Sequence, residues 1–118
     1  MPRKFVSRYG VVGINPKKQE SRRLYQISEI VENPKISEAP SNLTIVGGYA
    51  LTPAILKNLK DVEVSLTSVS NDALLINEGF ERELGAGGLI YGWEFGGRRL
   101  DCGTIKGFRN AEEILRQN

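Results

Sequence analysis

Residues 96–108, GGRRLDCGTIKGF, gather the side chains best suited to chemistry: Arg98, Arg99, Asp101 and Cys102, the chain's one cysteine. They follow LIYGWEF, an apolar and aromatic run with the composition of a strand, and precede FRNAEEILRQN, which has the pattern of a helix. A carboxylate at a strand end, freed by glycines, can reach a hard cation. The same carboxylate can cap the exposed N–H groups of the helix that follows, and Thr104 competes for that position. Cys102 has no base or metal partner nearby in sequence, so a small buried filler is expected rather than a nucleophile. The chain has no histidine. That excludes Ser-His-Asp and Cys-His catalysis and histidine-ligated zinc. Any metal must then be a hard cation held by oxygen.

These residues need a scaffold, and 118 residues allow one domain at most. A hydrophobic fraction of 40% and a charged fraction of 25% are ordinary for a soluble globular chain. The net charge of +2 gives no argument for nucleic acid or an anionic membrane as partner. The basic pairs Lys17-Lys18, Arg22-Arg23 and Arg98-Arg99 are scattered and read as solvated loop charge. One cysteine forms no internal disulfide, and no leader or bilayer-length apolar run is visible, so a cytoplasmic location is expected.

Strands are expected at 5–14, 24–32, 43–51 and 89–95 from β-branched and aromatic composition. Gly10 marks a bulge or a close approach by a ligand or another backbone. The second strand is expected antiparallel to the first, with an irregularity near its end because Ile30 breaks the parity of Tyr25, Ile27 and Val31. The third is apolar enough to be buried on both faces. Thr52 and Pro53 form a helix start, with Ile55, Leu56 and Leu59 as the apolar stripe. A second helix is expected at 66–79, with Leu66, Leu74 and Leu75 inward and Gly79 as its stop. GAGG at 85–88 reads as a turn, and a last helix covers 105–117 with Phe108, Ala111, Ile114 and Leu115 on one side. The order β-β-β-α-α-β-α predicts an α/β fold, a mixed β-sheet with helices packed on it. A third strand so apolar, with so few strands to flank it, looks like part of a larger sheet, and an open edge invites pairing with another chain.

Three phrases, PRKFVSRYGVV, IVENPKISEAPSNLTIVGGYALTPAIL and YGWEFGGRRLDCGTIKGF, resemble in order and spacing the C-terminal part of bacterial UTP–glucose-1-phosphate uridylyltransferases. The resemblance runs from Pro2 to Phe108 and fades between Val62 and Gly88. It implies that 1–118 is a single partial domain, the sugar-binding part of a nucleotidyltransferase. It further implies the C-terminal portion of a Rossmann-like nucleotide-diphospho-sugar transferase fold. The family's glycine-rich nucleotide-binding loop and its mid-domain metal-holding aspartate have no counterpart in these 118 residues.

The family reaction is attack of a sugar phosphate oxygen on the α-phosphorus of UTP, with positioning and neutralisation of phosphate charge as its catalysis. The resemblance gives Asp101 a place at the family's Mg2+ site and Glu32 the bonds to sugar hydroxyls. Glu32 reads equally well as a solvated strand-end charge. Gly10 matches the glycine that lets the sugar approach the backbone. Asn33 departs from the pattern, which has a lysine on the sugar phosphate; an amide donates a hydrogen bond but neutralises nothing. Lys35 lies two residues on, beyond Pro34. The implied ligands are glucose 1-phosphate or UDP-glucose, with turnover expected only beside a complementing N-terminal half. The alternative is a non-catalytic sugar-phosphate-binding or oligomerisation module, and a homo-oligomer fits the open sheet edge.

Overall fold

A long antiparallel hairpin, β1 (Gly10–Ser21) with β2 (Leu24–Glu32), organises the chain. The structure is a computed structural model, and it describes residues 2–65 and 72–117; within these, the side chains of 19–20, 63–65 and 72–75 lie outside the description. The first expected strand is corrected at both ends. Arg3–Arg8 form a 3-10 turn, and β1 starts at Gly10 and runs through residues expected as a loop. Register shifts between Ile14, Gln19 and Ser21 show how that polar stretch pairs loosely before the turn at 22–23.

The irregularity of β2 lies in mid-strand. Glu29 pairs with Gly13 and Ile27 with Ile14, so Ser28 is the extra residue. That insertion explains the parity break, because Ile27 and Ile30 are three apart and both are buried in one cluster. A short third strand, β3 (Tyr91–Trp93), pairs antiparallel with β2. Its ladder reaches one residue further each way, through Ile27 N–H to Ile90 O at 2.8 Å and Glu94 N–H to Arg23 O at 2.8 Å. The order is β1-β2-β3, and the described sheet is antiparallel throughout.

Residues 43–51 do not form the expected strand. Ile45 N–H donates to Gly10 O at 2.9 Å and Val12 N–H to Leu43 O at 3.0 Å, and the pairing with the free edge of β1 ends there. Gly47 and Gly48 have φ of 99° and 87°, left-handed values that no strand continues through. Val46 and Tyr49 are accordingly exposed, not buried on both faces.

Helix α1 (Pro53–Ser65) begins as its sequence predicts: Thr52 Oγ1 accepts from Ile55 N–H at 3.4 Å. Helix α2 (Asp72–Gly85) runs past the expected stop at Gly79. The expected Leu66 lies outside the described residues, as do the side chains of Leu74 and Leu75. Gly79 is instead a contact point, because a Cβ there would stand 2.6 Å from Leu59 Cδ2 of α1. Ile27, Ile30, Ile55 and Phe80 form the core between sheet and helices. Val11, beside Val12 on β1, points to the other face and packs with Val6 and Ala39. Helix α3 (Ile105–Arg116) carries the expected stripe, but of it only Ala111 is buried and Ile114 half-buried; Phe108 and Leu115 stay exposed. Cys102 is exposed, against the expectation of a buried filler, because its loop covers no part of the core.

Candidate functional site

The end of the hairpin opposite its turn brings Gly10 and Glu32 together as a cross-strand pair. The Glu32 carboxylate lies over the bare Cα of Gly10: a Cβ there would meet Glu32 Oε1 at 2.9 Å and Ile45 Cδ1 at 3.3 Å. Only glycine leaves that carboxylate where it is. Among the described residues Glu32 accepts no hydrogen bond and forms no ion pair, although it is half-buried. Burial first, then the nearby charge of Glu81 on α2, raises its pKa above the usual carboxylate value. Tyr49 stands close by; burial first and the Glu32 charge second raise its phenol as well.

Asn33 follows at once, with φ of 45°. Asparagine tolerates this left-handed value better than most side chains, so residue 33 serves here to end β2 and turn the chain into Pro34. Its N–H donates to Tyr9 O at 3.2 Å, which closes the ladder beyond Gly10. Lys35 points to a different partner, an exposed pair with Glu38 at 3.3 Å.

Asp101 reaches the same end of the sheet from the far side of the sequence. Its Oδ2 accepts from the Tyr9 hydroxyl at 2.7 Å, and its Oδ1 accepts from Gly103 N–H at 3.0 Å, an Asx turn. These bonds, Tyr9 before Gly103, hold its carboxyl below the usual range, and the Tyr9 phenol is raised chiefly by the same bond. The cap of α3 is Thr104, whose Oγ1 accepts from Gly107 N–H at 3.0 Å. Asp101 is therefore not spent on capping. The Arg99 guanidinium stacks on the Tyr9 ring, Cζ 4.0 Å from its centroid, and its Nη1 is buried without a hydrogen-bond partner. Tyr9 stands just before the start of β1 with extended backbone, φ −137° and ψ 161°, so its ring leaves on the face opposite to Glu32. The structure thus joins Gly10, Glu32 and Asn33 closely, and ties Asp101 to them through Tyr9.

Tyr9 and Arg99 are the residues that sequence reasoning missed as parts of this arrangement. The hydroxyl contact spans 92 positions, and nothing in local spacing announces it. For a cation, the described residues offer no group of three candidate ligands. Asp101 fits a single ligand position: it is an exposed oxygen donor, and each oxygen keeps a lone pair beyond the bond it accepts. Mg2+ is held in just this way, by one or two carboxylates together with substrate phosphates.

Glu32→Gln tests the electrostatics directly. A carboxyl whose folded pKa is raised favours folding below its unfolded pKa and loses that contribution as pH rises through the folded value. The variant is therefore expected to melt above the parent at pH 7.5. The difference should vanish near pH 4, where the parent is itself protonated. Thermal melts at the two pH values check this, and a variant that melts lower at pH 7.5 would contradict it.

The fold is that of part of a nucleotide-diphospho-sugar transferase. A structure of UDP-glucose pyrophosphorylase complexed with UDP-glucose matches with a TM-score of 0.79 at 28% identity, over 99% of this chain and 41% of that one. A UTP-bound enzyme of the same kind from Acinetobacter baumannii matches with a TM-score of 0.72 at 25% identity, over 98% of this chain and 36% of that one.

In sequence the chain is similar to UTP–glucose-1-phosphate uridylyltransferases. The Staphylococcus haemolyticus protein is 36% identical over 108 residues, 92% of this chain. The Pseudomonas aeruginosa protein is 28% identical over 118 residues. The chain spans 35% and 39% of the lengths of these two relatives. No protein-family model matches the sequence. The chain resembles the C-terminal part of these bacterial enzymes, in agreement with the reading of its three phrases.

Proposed function

We propose that residues 1–118 are the sugar-phosphate-binding part of a cytoplasmic UTP–glucose-1-phosphate uridylyltransferase, a partial domain that turns over only with the rest of such an enzyme. The observation that carries this is Glu32: a half-buried carboxylate with a raised pKa, no hydrogen-bond partner among the described residues, and a place over Gly10 that a side chain would take. Such a group disfavours folding and is suited to accept bonds from two sugar hydroxyls. Gly10 lets the ligand come close to backbone, and Asn33 turns the chain away beside it. Asp101, held by Tyr9, supplies one carboxylate toward Mg2+, which when bound neutralises phosphate charge. The absence of a lysine at residue 33 predicts weak hold on the phosphate.

Calorimetry with glucose 1-phosphate and with UDP-glucose tests the reading. Binding is expected for the parent chain, weakened by about tenfold or more in Glu32→Ala, the scale of a charged hydrogen bond. No heat with either ligand, or heat unchanged in Glu32→Ala, overturns the assignment. No helix among the described residues is long and apolar enough to cross a membrane.

A further inference from the structure

The loop between β3 and α3 is tied to the sheet at one place. Among the described residues, the bond from the Tyr9 hydroxyl to Asp101 Oδ2, 2.7 Å long, is the only hydrogen bond that joins residues 95–103 to the chain outside their own loop. The bond is exposed to water, which competes for both partners, so it contributes little by itself. The other contact of the carboxylate, Gly103 N–H to Oδ1, lies within the loop. These two bonds alone therefore do not fix the carboxylate relative to the sheet.

Tyr9 is the fixed end of the contact. Its N–H donates to Val6 O at 3.2 Å, and its carbonyl accepts from Asn33 N–H at 3.2 Å, so both backbone groups are held by the body of the fold. One face of its ring is covered by the Arg99 guanidinium, with Cζ 4.0 Å from the centroid. That is a stacking distance, well inside the reach of about 6 Å over which a cation and a ring attract. Arg99 is itself half-buried, and its Nη1 has no hydrogen-bond partner among the described residues. The ring, rather than hydrogen bonds, is what offsets the burial of that group. Arg99 and Asp101 are two residues apart, so one short segment grips Tyr9 twice, on the ring face and at the hydroxyl.

We propose that Arg99 is a positioning residue: by stacking on Tyr9 it fixes the hydroxyl that directs the Asp101 carboxylate toward a divalent cation. The inference rests on the reading of Asp101 as one ligand of Mg2+, and it supplies the cause of the carboxylate's direction. Arg99 acts through the ring and not on the cation. Its charge alone would oppose a cation at Asp101, because like charges repel. Two substitutions break the link from Arg99 through Tyr9 to Asp101 at different points without changing the net charge. Arg99→Lys keeps the charge but replaces the planar guanidinium by a compact ammonium that cannot stack. Tyr9→Phe keeps the ring and its stack but removes the hydroxyl that bonds Asp101.

Nuclear magnetic resonance of the full chain tests this without turnover. The β-proton couplings of Asp101 report its side-chain rotamer, and paramagnetic broadening of the Gly103 amide by added Mn2+ reports a cation at the carboxylate. The parent is expected to show a single Asp101 rotamer and early broadening of Gly103. Arg99→Lys and Tyr9→Phe should each average the couplings and raise the Mn2+ needed for equal broadening by about two- to fivefold, the scale of one exposed cation–π contact or hydrogen bond. Arg98→Lys, at the exposed neighbouring position, is the control and should change neither. The signals of Val11 and Ile27, both buried, verify that each variant keeps the fold. Couplings or broadening that stay at the parent's values in Arg99→Lys overturn the proposal. Broadening of Gly103 that survives Asp101→Asn unchanged removes the cation from Asp101, and overturns the metal reading together with the inference.

Discussion

Replacing Phe80 by alanine is expected to cost the fold about 3–5 kcal/mol, the range for truncating a buried aromatic. Phe80 is the residue of α2 in the main cluster, where it meets Ile27 and Ile30 of the sheet and Ile55 of α1. Its ring also packs on Tyr49, with centroids 5.4 Å apart. The loss is a large share of the roughly 5–15 kcal/mol that holds a domain together. The melting midpoint should fall by roughly 10–20 °C, and urea unfolding gives the same quantity independently. Phe80→Leu keeps most of the volume and should lose far less. The effect reaches the site as well. Tyr49, whose ring packs on Phe80 and whose phenol feels the Glu32 charge, should loosen with it. A loss under about 1 kcal/mol would mean that the helices do not depend on this cluster.

What the sequence revealed were features whose causes are local. The strand character of 10–14 and 27–32 follows from their β-branched residues, and the start of α1 follows from Thr52 and Pro53, whose capping chemistry needs no tertiary partner. What it concealed were features decided elsewhere in the chain. The run 43–51 is apolar enough for a buried strand, yet Gly47 and Gly48 take left-handed backbone values and end it. Composition alone does not distinguish a glycine that interrupts a strand from one that packs within it. Gly79 has the spacing of a helix stop, but its purpose is the close approach of Leu59, which lies 20 residues earlier. The candidate site divides in the same way. Gly10 and Glu32 are legible as neighbours once the hairpin register is known. The hold of Tyr9 on Asp101 is not, since no periodicity links the first strand to the last loop. Asn33 looks like a defect when read for charge, and is accounted for when read for its φ.

Gly107→Ala is the substitution expected to separate Asp101 from Tyr9. Within a helix, alanine in place of glycine normally gains about 1 kcal/mol. Here the added Cβ would collide with the backbone carbonyl oxygen of Asp101 and lie 3.1 Å from Thr104 Oγ1. A side chain in that path could rotate away, whereas a carbonyl moves only with its peptide. Either the 101–104 loop shifts or the first turn of α3 unwinds, and both draw the Asp101 carboxylate from the Tyr9 hydroxyl. The net effect should be a loss of about 1–3 kcal/mol, the range for overpacking, despite the better helix former. The sharper signal is electrostatic. The Tyr9 phenol is raised mainly by its bond to Asp101, so the variant should return it toward the ordinary tyrosine value, read from its ring resonances against pH. Gly85→Ala provides the contrast. It too is a helical glycine, but a Cβ there would meet nothing within 4 Å, so it should be neutral or stabilising. If Gly107→Ala behaves like Gly85→Ala and leaves Tyr9 unchanged, the loop yields without moving its carboxylate. The position of Asp101 would then be fixed by its Asx turn and by Tyr9 alone, and not by the close approach of the helix start.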